Sequence, residues 1–65
     1  MIKVKRINGQ EILINVDLIY MVEHHSDTVI HMTDGNKIIT SDSLETIQKA
    51  VIAYKKAIYE KKDPV

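Results

Sequence analysis

The chain has 65 residues, nine Lys plus Arg against nine Asp plus Glu, 45% hydrophobic residues and no cysteine. These counts allow one small globular domain over residues 1–65 and exclude a disulfide scaffold, a Cys-ligated zinc module and a redox thiol. A formal net charge of +0 also argues against binding nucleic acid through overall charge, because that affinity needs a surplus of Lys and Arg.

Ile2 and Val4 alternate with Lys3 and Lys5, the pattern of a strand with one buried face. Asn8-Gly9 then predicts a two-residue hairpin loop, with Glu11 to Asn15 as the returning strand. If Ile7 and Gln10 flank that loop, Val4 faces Leu13 and Arg6 faces Glu11. Asn15-Val16-Asp17 reads as a turn, since Asn and Asp bond their own neighbouring backbone. A third strand follows from about Ile19 to His24, ended by Ser26-Asp27. Thr28 to Met32 is a fourth, Asp34-Gly35 a second tight turn, and Lys37 to Thr40 a fifth. Connections this short require antiparallel pairing.

After Ser41 the period changes. Asp42 followed by Glu45 resembles a capping box, and Leu44, Ile47, Val51, Tyr54 and Ile58 form one stripe down a helix that ends before Asp63-Pro64. The expected fold is therefore α+β: about five short antiparallel strands over residues 2–40, open or closed into a barrel, then an amphipathic C-terminal helix over about 43–61. Ile52 and Tyr59 form a second apolar line off the main stripe. They are either the edge of a broad core or a partner surface. A domain this short buries only about 60% of its unfolded surface, so association is an expected way to complete it.

The apolar runs fall far below the roughly 20 residues of a membrane-spanning helix. The first residues, Met1 to Arg6, also lack the apolar centre of a signal peptide. A cytoplasmic location is expected. His24, His25 and His31 invite a metal hypothesis, but neighbouring strand residues point to opposite faces, so His24 and His25 cannot share an ion. Joining His25 to His31 would need Glu23 as a third ligand. No metal and no cofactor are expected. No catalytic residue is expected either: Ser26, Ser41 and Ser43 fall where hydroxyls cap, and Asp17, Asp27, Asp34, Asp42 and Glu45 fall in turns or at the helix start. The basic residues on the first strand and the helix are interspersed with acids, and no Phe or Trp is present to stack bases.

The order of residues resembles the FlbD family of short flagellar proteins, which includes swarming motility proteins of the SwrD type. The resemblance runs through Met1-Ile2, Arg6-Ile7-Asn8-Gly9, Glu11, Asn15, Ile19, Glu23, Asp27-Thr28-Val29-Ile30, Gly35, Lys37 and Tyr54-Lys55. Ser26 stands where the family usually has proline. Weaker resemblances are to the sheet of LytTR-type DNA-binding domains and to CsrA-type RNA-binding regulators. The FlbD resemblance implies a non-catalytic cytoplasmic accessory of flagellar motility and swarming, acting by protein–protein interaction on motor torque or stator function at the inner face of the membrane. The partner is then a motor or stator-associated protein, or a second copy in a homo-oligomer, and no nucleic acid is expected. The candidate interaction surface comprises Asn8, Gly9, Asn15, Ile52 and Tyr59. The alternative is a small nucleic-acid-binding regulator, CsrA-like or LytTR-like.

Overall fold

A computed structural model describes the backbone of residues 1–61 and the side chains of residues 1–59. Strands β1 (Ile2–Lys5), β2 (Glu11–Ile14), β3 (Ile19–His24), β4 (Thr28–Met32) and β5 (Lys37–Thr40) precede one helix, α1 (Leu44–Lys61). A single 3₁₀ turn, Val16–Leu18, links β2 to β3. The fold is α+β, and the strands form two antiparallel sheets, β1-β2 and β3-β4-β5, which do not close into a barrel. The expected end of the helix before Asp63-Pro64 lies outside the described residues.

The first hairpin differs from its expected register by one residue. Positive φ falls at Gly9 (93°) and not at Asn8. The Gly9 N–H donates to the Arg6 carbonyl at 2.8 Å, and the Arg6 N–H donates to the Gln10 carbonyl at 2.7 Å. Ile7-Asn8-Gly9 is thus a three-residue loop in which a tight turn is followed by a left-handed glycine, rather than a two-residue loop with both centres left-handed. Val4 consequently faces Ile12, and Lys5 faces Glu11. A one-residue slip exchanges the faces of a strand: Leu13 turns outward at 64% exposure, while Ile14 joins the core.

The same loop recurs between β4 and β5. Gly35 has φ 92°, its N–H donates to the Met32 carbonyl at 3.0 Å, and the Met32 N–H donates to the Asn36 carbonyl at 2.8 Å. Ahead of each glycine stands a side-chain acceptor for the amide two residues on, Asn8 for Gln10 and Asp34 for Asn36, each at 2.9 Å. That local bond is why Asn and Asp precede glycine in such turns.

The core follows from alternation. Ile2, Val4, Ile14, Val16, Ile30, Ile38 and Ile47 are buried in one cluster, with Ala50, Val51 and Tyr54 packed against it from α1. Full burial of each such aliphatic side chain contributes about 1.5–3 kcal/mol. Within the expected helix stripe, Ile47 is the anchor, whereas Leu44 stays 38% exposed at the rim. The helix cap is Ser43 and not Asp42: the Ser43 Oγ accepts the Thr46 N–H at 3.0 Å. Asp42 is turned away, accepting the Lys5 N–H at 3.3 Å.

That bond belongs to the seam between the two sheets. Arg6 and Thr40 form an isolated bridge, and the Ile7 N–H donates to the Ile39 carbonyl at 2.9 Å. Beyond them the chain leaves β5 for α1, and side chains replace the strand ladder. The Thr40 hydroxyl donates to the Lys5 carbonyl and accepts the Asp42 N–H. Thr40 is buried there at 1% exposure, so its polar atom is tolerated because both its donor and acceptor capacities are used.

Candidate interaction site

The residues singled out by sequence fall into separate places. Asn8 and Gly9 form the tip of the β1–β2 hairpin, exposed to solvent. Asn15 lies beyond the opposite end of β2, where its Oδ1 accepts the Asp17 N–H at 3.0 Å and caps the 3₁₀ turn. The structure does not bring Asn15 together with the hairpin tip. Ile52 and Tyr59 are 54% and 63% exposed. At 100° per residue they lie about 20° apart round the helix, while core-facing Ile47 is about 140° from Ile52. They therefore share a face that α1 does not turn to the sheet.

Beside that face is an open groove of about 730 Å³, lined on one side by Val16, Ile19 and Val22 and on the other by Leu44, Val51 and Ile52. It exists because α1 leans on β1 and β3 along one edge and leaves the flank next to the 3₁₀ turn uncovered. Asp17 and Lys55 sit on its rim, joined at 3.1 Å. The hydrogen bond to Asp17, and then its negative charge, hold the Lys55 ammonium above the ordinary lysine value of 10.5. Both members are exposed, so the pair contributes little to stability.

The histidines are divided as the strand geometry requires. The His24 ring bonds the Thr28 hydroxyl, Nδ1 to Oγ1 3.2 Å. Glu23 stands between the other two, with Oε1 3.0 Å from His31 Nε2 and Oε2 3.7 Å from His25 Nε2. Among the described residues, no three His, Cys, Asp or Glu side chains are placed to hold a metal ion. Ser43 caps α1, and Asp34 bonds both the backbone and the side-chain amide of Asn36. These groups are engaged in local structure.

A second apolar surface was not singled out from the sequence. Met21 and Ile39, each 43% exposed, lie on the outer face of the three-stranded sheet, with Val29 directly opposite Ile39. The signal was present: Thr28 to Met32 and Lys37 to Thr40 carry apolar residues on both alternating faces. Tyr20 stands at a register irregularity in β3 and is 72% exposed. Among the described residues, no helix is long and apolar enough to cross a membrane.

Residues 1–59 match the family model described as FlbD: Flagellar and Swarming motility proteins. No curated protein and no solved structure matches the chain.

Proposed function

The chain belongs to the FlbD family of flagellar and swarming motility proteins, and from that membership we propose that it is a non-catalytic cytoplasmic accessory that supports motility by binding other proteins of the flagellar motor. The observation that carries this reading is the family match over residues 1–59. The shape of the chain supports it. A domain with a shallow groove, exposed Ile52 and Tyr59, and polar groups committed to turns and caps is suited to docking, which needs apolar area and complementary shape rather than a reactive group.

In this reading the protein acts at the inner face of the membrane, beside the motor or its stator units, and its effect is on torque. Contact is made through the α1 face that carries Ile52 and Tyr59 and through the hairpin tip formed by Asn8 and Gly9. Asn15 acts indirectly, by capping the 3₁₀ turn that shapes the groove. Binding through such surfaces depends weakly on salt, whereas phosphate binding weakens steeply as salt rises. This contrast separates motor docking from a nucleic-acid-binding role.

The test is complementation of a strain that lacks the protein with the Ile52→Asp, Tyr59→Asp double variant. Both side chains are more than half exposed, so circular dichroism and the unfolding midpoint should stay near those of the parent. Swarming should fail. A folded double variant that restores full swarming would refute the use of the helix face.

A further inference from the structure

We propose that a second pocket, between the end of β2 and the β4–β5 loop, binds a single carboxylate carried on an apolar stem, with Arg6 as its counter-charge, and that a partner protein presents that carboxylate. Only the last clause rests on the reading that this chain acts by docking. The pocket stands on its own residues.

It holds about 450 Å³ and shares no lining residue with the groove beside α1. Arg6 comes two positions after buried Val4, so it leaves the chain on the same, core-facing side. It is half-buried, and it is the one arginine of the chain. Its Nε is sealed from solvent without a hydrogen-bond partner. Among the described residues the ion pairs are those of Lys55, His25 and His31, and none involves Arg6. A half-buried guanidinium without a carboxylate is unfavourable, because its lost hydration is not offset by a counter-charge. Sealing is confined to Nε, so the two terminal nitrogens are the ones left to meet an anion from the pocket.

Charge selects which anion. The charged lining residues are Arg6, Lys37 and Asp34, two cations against one carboxylate, for a net charge of +1. Asp34 is held on the rim by Asn36, whose backbone and side-chain amides each donate to it at 2.9 Å, and it does not pair with Arg6. A net +1 balances one carboxylate. A phosphate dianion would be only half neutralised and would meet the fixed Asp34 charge at twice the repulsion.

Shape selects what carries the carboxylate. The remaining wall includes Leu13, Leu18, Met32 and Ile38, of which Leu13 and Leu18 are exposed. A bare inorganic anion would leave that wall wet, whereas an anion on an apolar stem covers it while reaching the guanidinium. Proteins offer this chemistry in two forms, an Asp or Glu side chain beside an apolar residue and a terminal carboxylate on an apolar last residue.

The experiment is an NMR titration of the full ¹⁵N-labelled chain in phosphate-free buffer, following the arginine Nε–H signal, which is unambiguous because the chain has one arginine. The probes are N-acetylleucine for a chain terminus, acetyl-leucyl-glutamyl amide for a side chain, neutral N-acetylleucinamide and inorganic phosphate. At least one carboxylate probe should shift the signal saturably with a Kd of about 1–10 mM, and the tighter of the two names the source. Arg6→Met, followed through the Lys37 amide, should weaken binding at least about tenfold, since a charge-assisted bond is lost. Its urea midpoint should not fall, because an unpaired charge is removed. Lys37 is exposed, so Lys37→Gln should fold as the parent and bind about two- to threefold more weakly. A signal unmoved by both carboxylates up to about 50 mM overturns the proposal. Equal binding of the neutral amide, or tighter binding of phosphate, overturns the carboxylate. A lowered midpoint in Arg6→Met together with parental binding by Lys37→Gln gives Arg6 a structural role and also overturns it. Complementation tests the presenting partner: a folded Arg6→Met chain should fail to support swarming. Normal swarming by that variant overturns presentation by a motor protein and leaves the helix-face reading to its own Ile52 and Tyr59 test.

Discussion

Thr28 and Thr40 are paired across β4 and β5 and are both buried, at 2% and 1% exposure, yet their removal should have different consequences. Substituting valine keeps the shape and deletes only the hydroxyl. In Thr40→Val, two hydrogen bonds are lost, one to the Lys5 carbonyl and one from the Asp42 N–H. Each is worth about 1 kcal/mol net, and more where the partner is left buried without a replacement. The added methyl returns about 0.8 kcal/mol. Lys5 is exposed and Asp42 half-buried, so neither partner is sealed from water, and the net loss is about 1 kcal/mol. In Thr28→Val the single lost partner is the ring of His24, an exposed residue that water can serve, so the methyl roughly cancels the loss and the net change is about zero. A chain this long has a total stability of about 3–10 kcal/mol. Urea unfolding followed by circular dichroism, with a slope of about 1 kcal/mol/M, should place the Thr40→Val midpoint about 1 M below the parent and leave Thr28→Val near it. Equal losses, or a larger loss at Thr28, would refute the view that side chains at Thr40 hold the two sheets together.

Other outcomes follow from the turns, the cap and the groove rim. Gly35→Ala meets no atom within 4 Å but forces a side chain onto a backbone with φ 92°, so it should lower the urea-derived stability by about 1–2 kcal/mol. Ser43→Ala removes the acceptor for the Thr46 N–H and should cost about 1 kcal/mol, while Asp42→Asn should leave helix content by circular dichroism unchanged. Asp17→Asn should return Lys55 toward 10.5, read by NMR titration of its side chain. Because the folded value is raised, the stabilisation from this pair is present below about pH 10.5 and is lost as pH rises through the folded value. Asp17→Asn should therefore flatten the parent's stability profile only in that alkaline window.

How much of this was legible in the sequence depended on how many signals agreed. Strands β3, β4 and β5 have the expected bounds because β-branched residues, alternation and flanking turns coincide there. The first hairpin was expected at the right place in the wrong register. Asn8-Gly9 suits a two-residue loop, but it equally suits a three-residue loop in which Asn8 bonds the amide of Gln10 and Gly9 alone turns left-handed. Choosing between them requires knowing that Ile12 and Ile14, and not Leu13, face the core. The helix stripe was legible to within its first turn. Ser43 was preferred over Asp42 as cap because Asp42 is drawn off by the Lys5 N–H, a contact across 37 positions that no local pattern contains. The separation of Asn15 from the hairpin tip was likewise hidden until the length and direction of β2 were known.

The seam also sets the order in which the chain comes apart. Each sheet is stitched by contacts between near neighbours in sequence, closed by three-residue loops that form quickly. The bonds that join the sheets, Ile7 to Ile39, Thr40 to Lys5 and Asp42 to Lys5, instead span 32, 35 and 37 positions. Closing a loop of that length carries an entropy term of about 3 kcal/mol by the logarithmic rule, offset across the seam by a handful of bonds. Sheet bonds alone therefore hold the N-terminal hairpin loosely, and what retains it is the burial of Ile2, Val4 and Ile14 in the core they share with Ile30, Ile38 and Ile47. When it opens it should do so as a piece, uncovering those three together while β3-β4-β5 stays paired, and amide protons of β1 should exchange with solvent through that opening before those of β4.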